Sequence, residues 1–146
     1  MTKDDILRNN LYLNLATVCE DGKPWNTPLF YSYDGKILCW WSPITAIHSL
    51  NIARDNNVFV TIYDSTTPIG NGSGLYLQGT AHEILPENID YPLASYCEKA
   101  KSFMLNKSDC IGNAPARLYQ FDIQNMWMNS ETEVDGVNID LREEIV

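Results

Sequence analysis

Residues 11–41 alternate and turn in a pattern that suits an antiparallel meander. Leu11, Leu13, Leu15, Thr17 and Cys19 recur at every second position, so they share one face of an extended strand. Asp21-Gly22 follows, a dipeptide that accepts the backbone of a tight hairpin. A second strand is expected over residues 26–33, and Asp34-Gly35 turns the chain into a third over residues 36–41. Pro24 and Pro28 have no N–H to give a ladder, which confines the second strand to an edge or a bulge. Further strands are expected over 58–63, 75–84 and 117–127, and Gly79 in mid-strand marks a bulge or a close backbone approach.

Helices punctuate this pattern. Residues 4–9 read as a short one with Thr2 as N-cap, and residues 45–54 as another with Thr45 as N-cap. Residues 92–105 form a third, with Pro92 in its first turn. The segment 64–73 has glycines, but no Gly-Lys-Ser/Thr follows as in a P-loop, so it reads as a hairpin loop. The acidic tail, 129–146, is expected to wrap the surface or a partner subunit. With no repeat or linker, residues 1–146 read as one domain: a mainly β, antiparallel barrel with peripheral helices.

Charge and composition exclude several functions. The net charge is −9 and the ten basic residues are scattered, so no Lys/Arg stripe exists for nucleic acid. The same acidity disfavours an anionic membrane surface. No apolar run approaches the roughly 20 residues of a membrane span, and Met1-Thr2-Lys3-Asp4-Asp5 is unlike a secretory leader. A cytoplasmic protein is expected. The four cysteines form no C-x-x-C pair and there are two histidines, so a zinc site is not expected and the cysteines read as structural.

The chemistry concentrates at Ser42-Pro43-Ile44-Thr45-Ala46-Ile47-His48, where hydroxyls and an imidazole meet a helix N-terminus. Unpaired N–H groups and the helix dipole favour a phosphate there. The neighbouring strands carry Trp, Tyr and Phe, suited to a flat ring, so the combination points to a flat nucleotide cofactor. His48 reads either as a phosphate contact or as a half-buried packing residue, and Thr45 either as a phosphate donor or as an ordinary cap.

A collinear series then resembles a known family. It comprises Leu15-Ala16-Thr17-Val18, Asp21-Gly22-Lys23-Pro24, Asn26-Thr27-Pro28-Leu29-Phe30-Tyr31, the run from His48 to Val58, and Gly79-Thr80-Ala81. Together these resemble the flavin-binding split β-barrel family that includes the pyridoxamine 5′-phosphate oxidases. The resemblance implies an antiparallel split β-barrel of the FMN-binding type, with six or seven strands, that forms a homodimer with cofactor sites between subunits. It implies FMN held by Ser42, Thr45 and His48 at the phosphate and by Asn26, Thr27, Pro28 and Leu29 along the ring. Trp127 would cover the flavin from the neighbouring subunit, and Arg142 matches a recurrent tail position. The basic substrate grips of the vitamin oxidases are absent and the chain ends in Glu143-Glu144-Ile145-Val146, so pyridoxamine oxidation is not implied. The implied activity is that of a flavin-reductase-like oxidoreductase acting on a small redox substrate, with no residue singled out as acid or base. The alternatives are a flavin carrier without turnover, or a degenerate dimeric barrel binding a deazaflavin or haem.

Overall fold

The computed structural model describes residues 1–145. Helix α1 (Lys3–Asn9) leads into β1 (Tyr12–Val18), β2 (Pro24–Phe30), the short β3 (Ser32–Tyr33) and β4 (Ile37–Pro43). Helix α2 (Ile47–Arg54), β5 (Asn57–Tyr63) and β6 (Gly74–Glu83) follow, then α3 (Asp90–Ala100), β7 (Ala116–Val134) and β8 (Val137–Ile145). The sheet runs β2-β1-β5-β6-β7-β4-β3, with every pairing antiparallel and β8 added on β7. It curls until β4 approaches β2, which makes the half-closed barrel expected from the alternation.

The interior is built from the alternate positions. Leu13 and Leu15 of β1, Val60 and Ile62 of β5, and Leu75 and Leu77 of β6 are buried together with Trp40 and Phe121. Each such side chain contributes about 1.5–3 kcal/mol of hydrophobic stabilisation. Ile6 and Leu7 of α1 join this core where β1 begins. The carbonyls at the end of α1 need partners. Asn10 Nδ2 donates to Ile6 O at 2.8 Å and Tyr31 Oη to Leu7 O at 2.7 Å, while Lys99 Nζ reaches Asn10 O just beyond the helix at 2.6 Å. Thr2 caps the helix start in a reciprocal box with Asp5, as its position predicts. A second apolar cluster, including Cys39, Tyr96, Cys110 and Leu118, packs α3 over β4 and β7.

Gly79 sits at a bulge between β6 and β7. A Cβ there would overlap the Asp122 carbonyl oxygen, so the close approach read from the sequence is a backbone–backbone contact. Pro24 and Pro28 lie on β2, the outer strand of the sheet, where a missing N–H is tolerated.

Four expectations change. The strand expected over 26–33 divides at Tyr31: β2 pairs with β1, whereas Ser32 and Tyr33 pair with β4. Buried Tyr31 anchors the crossing through its hydroxyl and through N–H donation to Leu11 O. Helix α2 starts at Ile47 with Ala46 as N-cap and no side-chain cap, because β4 continues through Pro43 and a turn across Ile44 and Thr45 intervenes. Helix α3 stops at Ala100, where Lys101 adopts φ 57°. The tail folds back as β8 through Asp135 and Gly136, both at positive φ, as a tight hairpin requires. This raises the strand count to eight among the described residues. Val146, the last residue of that segment, lies outside them.

Candidate functional site

Helix α2 carries the densest set of buried polar side chains. His48, Ser49 and Asn51 are buried on it, and Ser42 is buried at the end of β4. His48 Nε2 and Ser42 Oγ are hydrogen-bonded at 2.8 Å, which leaves Nδ1 as the second ring nitrogen. Burial lowers the His48 pKa, so near neutral pH the imidazole is uncharged until an anion arrives to favour its proton. Thr45 is exposed in the turn before the helix and does not cap it. With neither a side-chain cap nor an acidic residue in the first turn, the start of α2 keeps unpaired N–H groups at the positive end of its dipole. Backbone N–H groups, the Ser42 hydroxyl and an imidazole able to take up a proton form a donor set that fits a phosphate.

The later turns of helix α2 lie against the ends of β1 and β2. Helix α2 packs on β1, β2 and β6, and Asn51 Nδ2 donates to Thr17 Oγ1 at 2.9 Å. Thr17 is in register with Trp25, the neighbour of Asn26. Arg54 reaches across to the Val18 carbonyl and fixes the far end of the helix. Along β2, Thr27 and Leu29 turn towards the interior and are half-buried, while Asn26 and Pro28 are exposed on the opposite face. Among the described residues the outer edge of β2 has no partner strand, a position where alternate backbone groups can meet a ring's heteroatoms. Ser42 and His48 meet at the start of α2, whereas the run Asn26–Leu29 leads along β2 away from the Thr17–Trp25 pair that Asn51 touches. Thr45 stands in the turn between Ser42 and His48.

Trp127 lies away from them within one chain: Ser42 pairs with Arg117 on β7, and Trp127 is ten residues further along that strand, a path of about 33 Å at the usual strand rise. It stacks on Phe59 at 6.3 Å between ring centroids and 9° between planes, on the outer face of the sheet. Tyr76 and Arg142 extend this patch, with the Arg142 guanidinium 5.4 Å from the Tyr76 ring centroid.

Some features of this region had no sequence signal. Arg117 is a cation beside Ser42, yet its guanidinium is committed to the carbonyls of Gly112, Ala114 and Ala116. An aromatic cleft lies where β2 ends, lined by Tyr12, Phe30, Trp41, Tyr96 and Phe103. Cys39 and Cys110 are buried, and burial pushes their thiols up to about 12 and about 11, unsuited to nucleophilic work. No cluster of His, Cys, Asp and Glu that could hold a metal ion occurs among the described residues. No helix among them is long and apolar enough to cross a membrane.

No protein-family model and no curated protein matches the sequence. Solved structures do match in fold. A protein from Bacteroides thetaiotaomicron, provisionally described as conferring 5-nitroimidazole antibiotic resistance, superposes with a TM-score of 0.71 at 13% identity, over 86% of this chain and 80% of that one. An F420 reductase gives 0.66 at 18% identity, over 86% and 96%. An FAD-binding protein from Mesorhizobium loti gives 0.64 at 16% identity, over 88% and 94%. At such identities the shared property is architecture: the chain has the antiparallel split β-barrel fold of the pyridoxamine 5′-phosphate oxidase-like proteins.

Proposed function

We propose that this protein is an FMN-binding, cytoplasmic oxidoreductase of the flavin-reductase type, working as a homodimer. The observation that carries the reading is the Ser42–His48 pair at the uncapped start of α2. In it, Ser42, His48 and the α2 N–H groups hold the phosphate, with Thr45 at the rim. Asn26, Thr27, Pro28 and Leu29 lie along the ring. The flavin supplies the electron transfer, and the chain supplies position, electrostatics and exclusion of water. The reading assigns no residue of the chain an acid–base role.

A second copy completes the site. Trp127 lies far along β7 from its own chain's Ser42, and it belongs to an aromatic patch on the outer sheet face with Phe59 and Tyr76. Such a face is suited to a partner, and pairing two barrels across it would bring Trp127 to the neighbouring flavin. The solved structures that share the fold include an F420 reductase and an FAD-binding protein, which supports a flavin-type ligand.

The test combines the visible spectrum, mass spectrometry of the released ligand and light scattering at micromolar concentration. Oxidised-flavin absorbance, an FMN mass and a dimer are expected. Reduction by a nicotinamide nucleotide and reoxidation by an acceptor distinguish an enzyme from a flavin carrier. A monomer would overturn the interfacial site, and a deazaflavin or haem mass would overturn FMN.

A further inference from the structure

We infer that the cleft between α3 and the outer faces of β1, β2 and β4 is a binding site for a flat, uncharged ring compound. Its volume is about 320 Å³. That lies at the small end of ligand sites and suits a molecule of roughly two or three fused rings. Tyr12 stands edge-on to Phe30 at 6.1 Å, and Phe30 edge-on to Tyr96 at 5.5 Å. Trp41 and Phe103 meet at 5.9 Å with a 57° tilt. These contacts are edge-on or tilted, so ring faces remain available, and offset stacking against them is favourable. Tyr12 and Phe103 are 58% and 51% exposed, large rings held in water beside half-buried Phe30 and Trp41 and buried Tyr96.

The charge of the ligand follows from what surrounds the rings. No ionisable acid or base other than the tyrosine phenols lines the cleft, and Trp41 Nε1 is already committed to the Asp109 carbonyl at 3.2 Å. Aromatic cages also attract organic cations. Here that role is taken: the Lys99 ammonium lies 5.4 Å from the Phe30 ring centroid and 3.7 Å from that of Tyr31. A second cation would meet it at the same ring. An anion would find no cation among the residues that line the cleft, and the Lys99 ammonium is committed to the Asn10 carbonyl. A neutral ring meets neither cost. Phe30 directly follows Leu29, and Trp41 directly precedes Ser42, so the cleft and these two residues of the proposed cofactor seat use opposite faces of the same two strands, and the ligand does not depend on the cofactor.

Calorimetric titration of the full-length purified protein with 2-naphthol at pH 7 tests this. A saturable single site is expected, about tenfold tighter than for a naphthylmethyl-trimethylammonium ion. Phe103→Ala and Tyr12→Ala, both at largely exposed positions, should each weaken 2-naphthol about three- to tenfold while circular dichroism stays unchanged. No saturable binding, equal or tighter binding of the cation, or wild-type affinity in both variants would each overturn the inference. Competitive displacement of 2-naphthol by FMN would also overturn it, because the cleft would then be the cofactor's own seat.

Discussion

Replacing His48 separates a phosphate contact from a packing residue. Its imidazole is 7% exposed and bound to Ser42 Oγ, and burial favours the uncharged form. A phosphate would have to restore the proton before gaining a charge-assisted hydrogen bond of about 1.5–3 kcal/mol. Each pKa unit to be recovered costs about 1.4 kcal/mol, so the net gain near neutral pH falls towards the low end, about tenfold in affinity. His48→Ala should therefore weaken FMN about tenfold and riboflavin, which has no phosphate, hardly at all. His48→Lys should retain FMN because it presents a lasting charge. The ratio of FMN to riboflavin affinity in the wild type should grow as pH falls below the ordinary imidazole range, the direction set by the depressed pKa. Flavin fluorescence quenching with both ligands, between pH 5.5 and 8, measures all of this. An unchanged FMN preference in His48→Ala would show that the α2 N–H groups hold the phosphate alone, and His48 would then be a packing residue.

Other consequences concern stability. Gly79→Ala drives a Cβ into the Asp122 carbonyl, which cannot swing aside as a side chain would, so a loss of about 3 kcal/mol or more in urea unfolding is expected. Tyr31→Phe leaves the Leu7 carbonyl without its buried donor and should lower stability by about 1–2 kcal/mol, again read from urea midpoints. His48 has a lower pKa folded than unfolded, so its contribution is present above the ordinary histidine pKa and is lost as pH falls through the folded value. Wild-type protein should accordingly lose more stability between pH 7 and 5 than His48→Gln, while the carboxylates held low by Thr2, Asn57 and Thr66 affect both proteins alike.

What could be read in advance followed from local rules, and what could not followed from partner choice. The period-two pattern of Leu13, Leu15 and Thr17 became a buried strand face because alternation alone decides which side of an extended chain meets the core. Gly79 was legible for a similar reason, since a glycine in mid-strand marks a place where no Cβ fits. Asp135-Gly136 carried the same hairpin signal as Asp21-Gly22 and Asp34-Gly35, and the reading of a wrapping tail passed over it. Thr45 was misplaced as a cap because a good capping side chain does not say where the preceding strand ends. Here β4 runs on through Pro43, paired with Ala116, a residue 73 positions later in sequence.

The site itself depends on one such non-local event. At Tyr31 the chain leaves β1 and takes β4 as its partner, which no alternation pattern announces. That change puts Phe30 at the rim of one sheet segment, with Tyr33 opposite Leu38 in the other. As a result Phe30, Trp41 and Phe103, far apart in sequence, open onto one cleft, while Asn26 to Leu29 remain on the outer strand of the sheet. The same crossing is held by Tyr31 Oη on Leu7 and by Lys99 over the Tyr31 ring, so α1 and α3 both report on it. A substitution that loosens Tyr31 is therefore expected to affect more than stability, because β2 and β4 carry the proposed ring and phosphate contacts respectively. Tyr31→Phe should thus weaken FMN more than it weakens phosphate or riboflavin taken separately, because only FMN must span both parts.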